Sequence, residues 1–187
     1  MPILGSFAGI SSKAYGLTSN LVGDYFFIAK SDAPTAAVAS LDFSSIPQNF
    51  THLEIRMIVQ NSATLNQGIR MRFNGDSGAT QYSQVYSYYD QTNNTTTNTT
   101  GQSSGYAGEH TTTASGNACM SVVQIQNYAN TNIFKNYTAY NYKYGGTQYM
   151  AVIAGNYKSG SAISSISIFP GASNFVQYSV AYLYGIK

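Results

Sequence analysis

Between Asn49 and Gln60 the chain alternates. Leu53, Ile55, Met57 and Val59 share one side of an extended strand, and His52, Glu54, Arg56 and Gln60 share the other. A period of two sends successive side chains to opposite faces, so this segment predicts a strand packed on a core on one side and open on the other. Ile69, Met71 and Phe73 repeat the pattern while Arg70, Arg72 and Asn74 face away, and Asn74-Gly75 then supplies a turn dipeptide that tolerates positive φ. The same reading gives extended segments at 24–30, 36–43, 50–60, 68–74, 80–89, 119–128, 132–144, 147–155, 163–169 and 175–186. Turn chemistry separates them, as at Asp32-Ala33-Pro34, Gly145-Gly146 and Pro170-Gly171. No stretch keeps helical spacing. Strands and turns without helix-length crossovers predict an all-β fold: an antiparallel, jelly-roll-like β-sandwich.

Two stretches depart from this grammar. Residues 1–20 scatter Ile3, Leu4, Phe7, Ile10, Tyr15 and Leu17 among Gly and Ser. That is too broken for a strand and too apolar for a solvated tail. It reads as an extended N-terminal arm that anchors on another subunit, which leaves 21–187 as a single sandwich domain. Residues 91–105 contain only small polar side chains and Gly, have nothing to bury, and predict a mobile surface loop.

Composition sharpens the picture. A chain of 187 residues fits one domain and can bury roughly 70% of its unfolded surface without a disulfide or metal staple. Charged residues are only 9% of it, against about 25% in an ordinary domain. Tyrosine occurs 17 times and tryptophan never. Low charge and abundant Tyr suit surfaces that lie against protein or sugar, because Tyr offers a broad ring and a hydroxyl at small entropic cost. One face of each strand must form the core, so only part of the Tyr set is available for contact. The cluster Tyr137, Tyr140, Tyr142 and Tyr144 is the leading candidate for a ligand or subunit contact. A net charge of +2 gives no argument for nucleic acid or for a membrane. The expected basic feature is a small cluster of Arg56, Arg70 and Arg72 on neighbouring strands. The N-terminus lacks a basic start and an unbroken apolar segment, so secretion by a signal peptide is not expected.

Catalytic chemistry is sparse. His110 follows Glu109 directly, but adjacent residues on a strand face opposite ways and no HExxH spacing accompanies them. The seven acids are scattered one per segment, whereas a hydrolytic depolymerase needs two carboxyls about 5–10 Å apart. Cys119 opens an apolar strand, where a buried, inert thiol is the expectation. No calcium loop, nucleophile elbow or phosphate-binding loop is present. The expectation is a protein without catalytic residues, cofactor or metal.

Several stretches together resemble a family of β-rich virion proteins of tailed bacteriophages: residues 43–60, 69–83, 122–139 and 163–187. The resemblance rests on the turn Ser45-Ile46-Pro47, the strand from His52 to Arg56, the segment Arg72 to Asp76, and the close from Leu183 to Ile186. Residues 2–17 are similar to the leading segment of phage appendage proteins. The resemblance implies a structural component on the virion exterior, such as a capsid decoration protein, head fibre or tail-fibre subunit. It also implies partners among the other virion proteins of capsid or tail and a homo-oligomer, with a trimer as the usual form. An alternative is a carbohydrate-binding module of a tail fibre that recognises host surface glycans.

Overall fold

The computed structural model describes residues 25–33, 35–62, 67–110, 118–144 and 148–187. The residues assigned to the anchoring arm, including Ile3, Leu4, Phe7, Ile10, Tyr15 and Leu17, lie outside that set. Twelve strands account for the described fold: β1 (Tyr25–Asp32), β2 (Leu41–Phe43), β3 (His52–Val59), β4 (Gln67–Phe73), β5 (Tyr82–Tyr89), β6 (Asn94–Gln102), β7 (Gly105–His110), β8 (Cys119–Ile125), β9 (Lys135–Tyr144), β10 (Gln148–Tyr157), β11 (Ile166–Pro170) and β12 (Val180–Ile186). They form an antiparallel sheet of eight in the order β1-β12-β3-β8-β9-β10-β5-β6 and one of four in the order β2-β11-β4-β7.

The order is that of a jelly roll with additions. From β2 to β5 successive strands alternate between the small and the large sheet. The chain then runs β5-β6 within the large sheet, crosses to β7, returns to β8, and reaches β11 between β2 and β4. The β9–β10 hairpin is intercalated between β8 and β5, and β1 with β12 extends the sheet beyond β3. The sandwich architecture expected from the alternation is therefore present.

Alternating residues of both sheets build one core. Leu53, Ile55, Met57 and Val59 of β3 are buried, as their spacing requires, against Ile69, Met71 and Phe73 of β4 and Ile166 and Ile168 of β11. An aromatic cluster fills one end, where Tyr82 stacks on Tyr157 with ring centroids 5.0 Å apart and Phe73 lies edge-on to Tyr157 and Tyr137. Asn74 and Gly75 both take positive φ in the turn after β4. The Asn74 side chain there accepts from the Ser164 N–H (2.8 Å) and donates to the Ala162 carbonyl (2.8 Å), which ties that turn to the approach to β11.

Two expectations change. The segment 91–105 is not a loop: Asn94–Gln102 is a nine-residue strand paired with β5, and β7 starts at Gly105. The reason is local. Asp90 accepts from the N–H groups of Asn93 (2.8 Å) and Thr92 (3.4 Å), which closes a tight hairpin and holds its carboxyl below the usual range, and Thr is a good strand residue. Conversely, the segment 36–43 is strand only at Leu41–Phe43, with Val38 bridging Phe175.

Candidate interaction surface

The outward face of the eight-stranded sheet is built from side chains that strand parity places opposite the core. The registers align them in rows. One row runs Val180, Ile58, Met120, Tyr142, Met150, Tyr89, crossing β12, β3, β8, β9, β10 and β5. The next runs Tyr182, Arg56, Val122, Tyr140, Val152, Ser87. Ile58, Met120 and Met150 each keep more than half of their surface exposed, and Tyr140, Tyr142, Tyr144, Val152, Val85 and Tyr89 are also exposed. Half-exposed side chains of this size at nine positions present about 900 Å² of surface. That exceeds the largest patch of a typical monomer, ~300–600 Å², and matches the share, ~800 Å², that one partner gives to a standard interface.

The intercalated hairpin is the main contributor, and its first strand is inverted in polarity. The inward residues of β9 are Lys135, Tyr137, Ala139, Asn141 and Lys143, while Tyr140, Tyr142 and Tyr144 face out. A strand more apolar outside than inside is opposite to what a half-solvated sheet selects. The candidate tyrosine set therefore splits. Tyr140, Tyr142 and Tyr144 lie on the open face, but Tyr137 is only 1% exposed, because it stands one residue out of phase with the others. Its hydroxyl donates to Gln84 Oε1 (3.2 Å) and accepts from the Tyr106 N–H (3.1 Å), and burial pushes its pKa up.

The expected basic trio is likewise divided. Arg56 lies on β3 in the large sheet, whereas Arg70 and Arg72 lie on β4 in the small one, over the rings of Tyr106 and Phe169. Arg56 is bonded to Glu54 at 2.7 Å and flanked by the rings of Tyr25 and Tyr184. Glu54, only 2% exposed despite facing out, also accepts from Gln124 Nε2 (2.9 Å) and the Tyr25 hydroxyl (3.2 Å). This neutralised cluster leaves the adjoining band uncharged.

Between the sheets lies a polar group with a catalytic-looking membership: Cys119, Asn141, Lys143, Glu109 and Tyr106. Its geometry is that of a cross-tie. Asn141 Nδ2 donates to the Glu109 carbonyl (3.1 Å) and to Cys119 Sγ (2.9 Å), and Asn141 Oδ1 accepts from the Glu109 N–H (3.1 Å). The Tyr106 hydroxyl bonds Glu109. Gly108, at φ 136°, permits this approach, since a Cβ there would lie 2.5 Å from Asn141. Burial pushes the Cys119 thiol up to about 12, the reverse of an activated nucleophile. Burial also lowers the pKa of Lys143, whose ammonium sits 4.8 Å from the Tyr149 ring centre. Among the described residues no three His, Cys, Asp or Glu side chains converge to hold a metal ion.

Beyond the apolar rows, toward the end of β10 and the start of β5, the same face changes character. A shallow depression of about 360 Å³ is lined by Ser83, Asn98, Gln126, Asn136, Thr138 and Asn156, with Val85 and Ala154 among them. Asn156 Nδ2 donates to Asn136 Oδ1 (2.9 Å), and the buried Ser83 hydroxyl has no partner among the described residues.

No family model matches the chain, and no curated protein matches it. A solved structure of a protein of unknown function from Shewanella oneidensis MR-1 aligns over 88% of this chain and 76% of that one, at 10% identity and a TM-score of 0.21. A likeness at that level carries no argument about function.

Proposed function

We propose that this chain is a non-catalytic structural protein of a tailed-bacteriophage exterior, docked by residues 1–20 and associating through the outward face of its large sheet. The observation that carries the association is the double row of exposed Tyr, Met, Ile and Val across β3, β8, β9, β10 and β5. The placement on a virion rests on the resemblance of its motifs to that family. A chain with so little charge is poorly defended against contact elsewhere, so the apolar band is where neighbouring subunits settle.

The test uses the full chain with Tyr142→Lys and Met150→Lys together. Both side chains are exposed, so the fold persists, and the mass of the oligomer in solution falls. An unchanged mass removes the face from the account. In parallel, deletion of residues 1–20 leaves a folded domain that no longer joins the particle, and normal incorporation would refute the anchor.

A second reading has its own support. The amide-lined depression offers planar donors and acceptors on the face that also carries Tyr140, two residues along β9 from its lining Thr138. Amides with an aromatic ring nearby in a face suit neutral saccharides. A glycan array on the intact protein, with Asn136→Ala and Asn156→Ala as controls, decides it. Absence of hits disposes of that reading.

A further inference from the structure

The two edges of the eight-stranded sheet are treated differently. At one end β1 carries a register break between Phe27 and Ala29, an exposed Lys30–Asp32 ion pair, and a contact from the Asp42 N–H to Ser31 Oγ. These are the usual devices that keep an edge from pairing. At the other end β6 has none through Asn98: Asn94, Thr95, Thr96, Thr97 and Asn98 contain no charge, no Pro and no bulge. Among the described residues nothing pairs with its far side.

Which backbone groups that edge presents follows from the hairpin. The Asp90 N–H donates to the Asn93 carbonyl (3.1 Å), so 90 and 93 are a hydrogen-bonded pair. In an antiparallel ladder such pairs alternate with non-bonded ones. With Tyr89 opposite Asn94, Ser87 opposite Thr96 and Val85 opposite Asn98, the N–H and C=O groups of Asn94, Thr96 and Asn98 turn away from β5. The Thr96 hydroxyl meets Ser87 Oγ at 3.3 Å, the closeness expected of a non-bonded pair.

The sequence is symmetric about the same residue. Reflected through Thr96, Asn94 falls on Asn98 and Thr95 on Thr97, and the match ends there, since Asn93 falls on Thr99. Shifting the centre by one residue sets Asn against Thr at the outward positions. Backbone parity fixes which residues bond across the edge, and the side-chain match picks the register centred on Thr96 among those it allows. We infer that β6 pairs antiparallel with β6 of a second copy about a two-fold axis at Thr96, joining two large sheets edge to edge. The inference rests on the association already proposed but adds a distinct interface. Thr96 faces its own counterpart across reciprocal N–H to C=O bonds, flanked by Asn94 against Asn98 on either side. Like polar pairs directly opposite add modest side-chain hydrogen bonding to the ladder.

Two substitutions in the full chain test it. Thr96→Cys places two thiols across the axis at a Cα separation of about 5.5 Å, within disulfide range. Mild oxidation then converts most of the chain to a covalent dimer. Asn94→Cys and Asn98→Cys, each about 13 Å from its own copy across the axis, do not cross-link singly but do so when mixed. Thr96→Pro removes only an N–H that points away from β5, so the thermal midpoint holds while the paired species is lost. If Thr96→Cys stays uncoupled and Thr96→Pro leaves the mass unchanged, the edge inference is wrong. Should Tyr142→Lys with Met150→Lys still lower the mass in that case, the sheet-face reading survives without it. The opposite pattern would retain the edge and remove the face.

Discussion

Tyr137 and Gly155 are the residues on which the inserted hairpin turns. They lie opposite each other in the β9–β10 register, and a Cβ on Gly155 would come within 2.0 Å of Tyr137 Cζ. The ring thus lies over bare backbone, which lets its hydroxyl reach Gln84 and the Tyr106 N–H on the facing sheet. Gly155→Ala must push that ring aside, at a cost of about 1–3 kcal/mol. Tyr137→Phe keeps the ring and loses the hydroxyl, at about 1 kcal/mol, because the Tyr106 N–H still has Gln84 Oε1 at 3.1 Å. Urea midpoints at constant m-value measure both. If Gly155→Ala stayed within the ~0.5 kcal/mol of an ordinary surface change, the seat would be unnecessary. Sequence alone made the phase of β9 illegible for a physical reason. Its inward set, with two Lys and an Asn, is the more polar one, so hydropathy points the wrong way and only the neighbouring strands fix which side is buried. In β3 the inward set is uniformly aliphatic, and there the alternation was enough.

Strands add those single-residue rules into elements with two different fates for a charge. In β8, Val123 and Ile125 point into the core while Met120 projects from the open face. Val123→Asp buries an unpaired carboxylate and costs about 4 kcal/mol or more, most of the stability of a domain at the low end of the ordinary ~5–15 kcal/mol range. Met120→Asp leaves the thermal midpoint within a few degrees and weakens association instead. Circular dichroism melts of the two variants separate them, and equal destabilisation would mean that Met120 is covered within the protomer. Elements of the β8 kind could be read from the chain because a largely apolar, β-branched run marks them. β6 could not, since it has no apolar residue between Asn94 and Gln102, and its strand state comes from the Asp90 turn and its pairing with β5. The symmetry about Thr96 was in plain view, but it acquires meaning only once the hairpin fixes which amides face outward.

At the scale of the whole molecule, the exposed face and the buried tyrosines have a common origin in the intercalated hairpin. It widens the large sheet past what the small sheet covers, and Tyr137 and Tyr149 from it join Tyr82 and Tyr106 inside. Burial pushes the pKa of all four phenols upward. A phenol whose folded value exceeds the unfolded value, about 10, stays protonated in the native chain while the unfolded one ionises. The native state then holds more protons, so stability is intact below about pH 10 and declines as pH rises beyond it. Lys143 works the other way. Burial lowers its pKa, so the unfolded chain binds the extra proton up to about 10.4 and stability rises slightly toward that pH. One lysine against four tyrosines leaves a net loss above pH 10. Phenolate absorbance followed together with circular dichroism checks this. Part of the phenolate signal should emerge only as the β-sheet spectrum collapses, and Tyr137→Phe should reduce that late part. Complete phenolate formation in a chain that keeps its native spectrum would mean that solvent reaches these hydroxyls, and the closed seam between the hairpin and the small sheet would have to be abandoned.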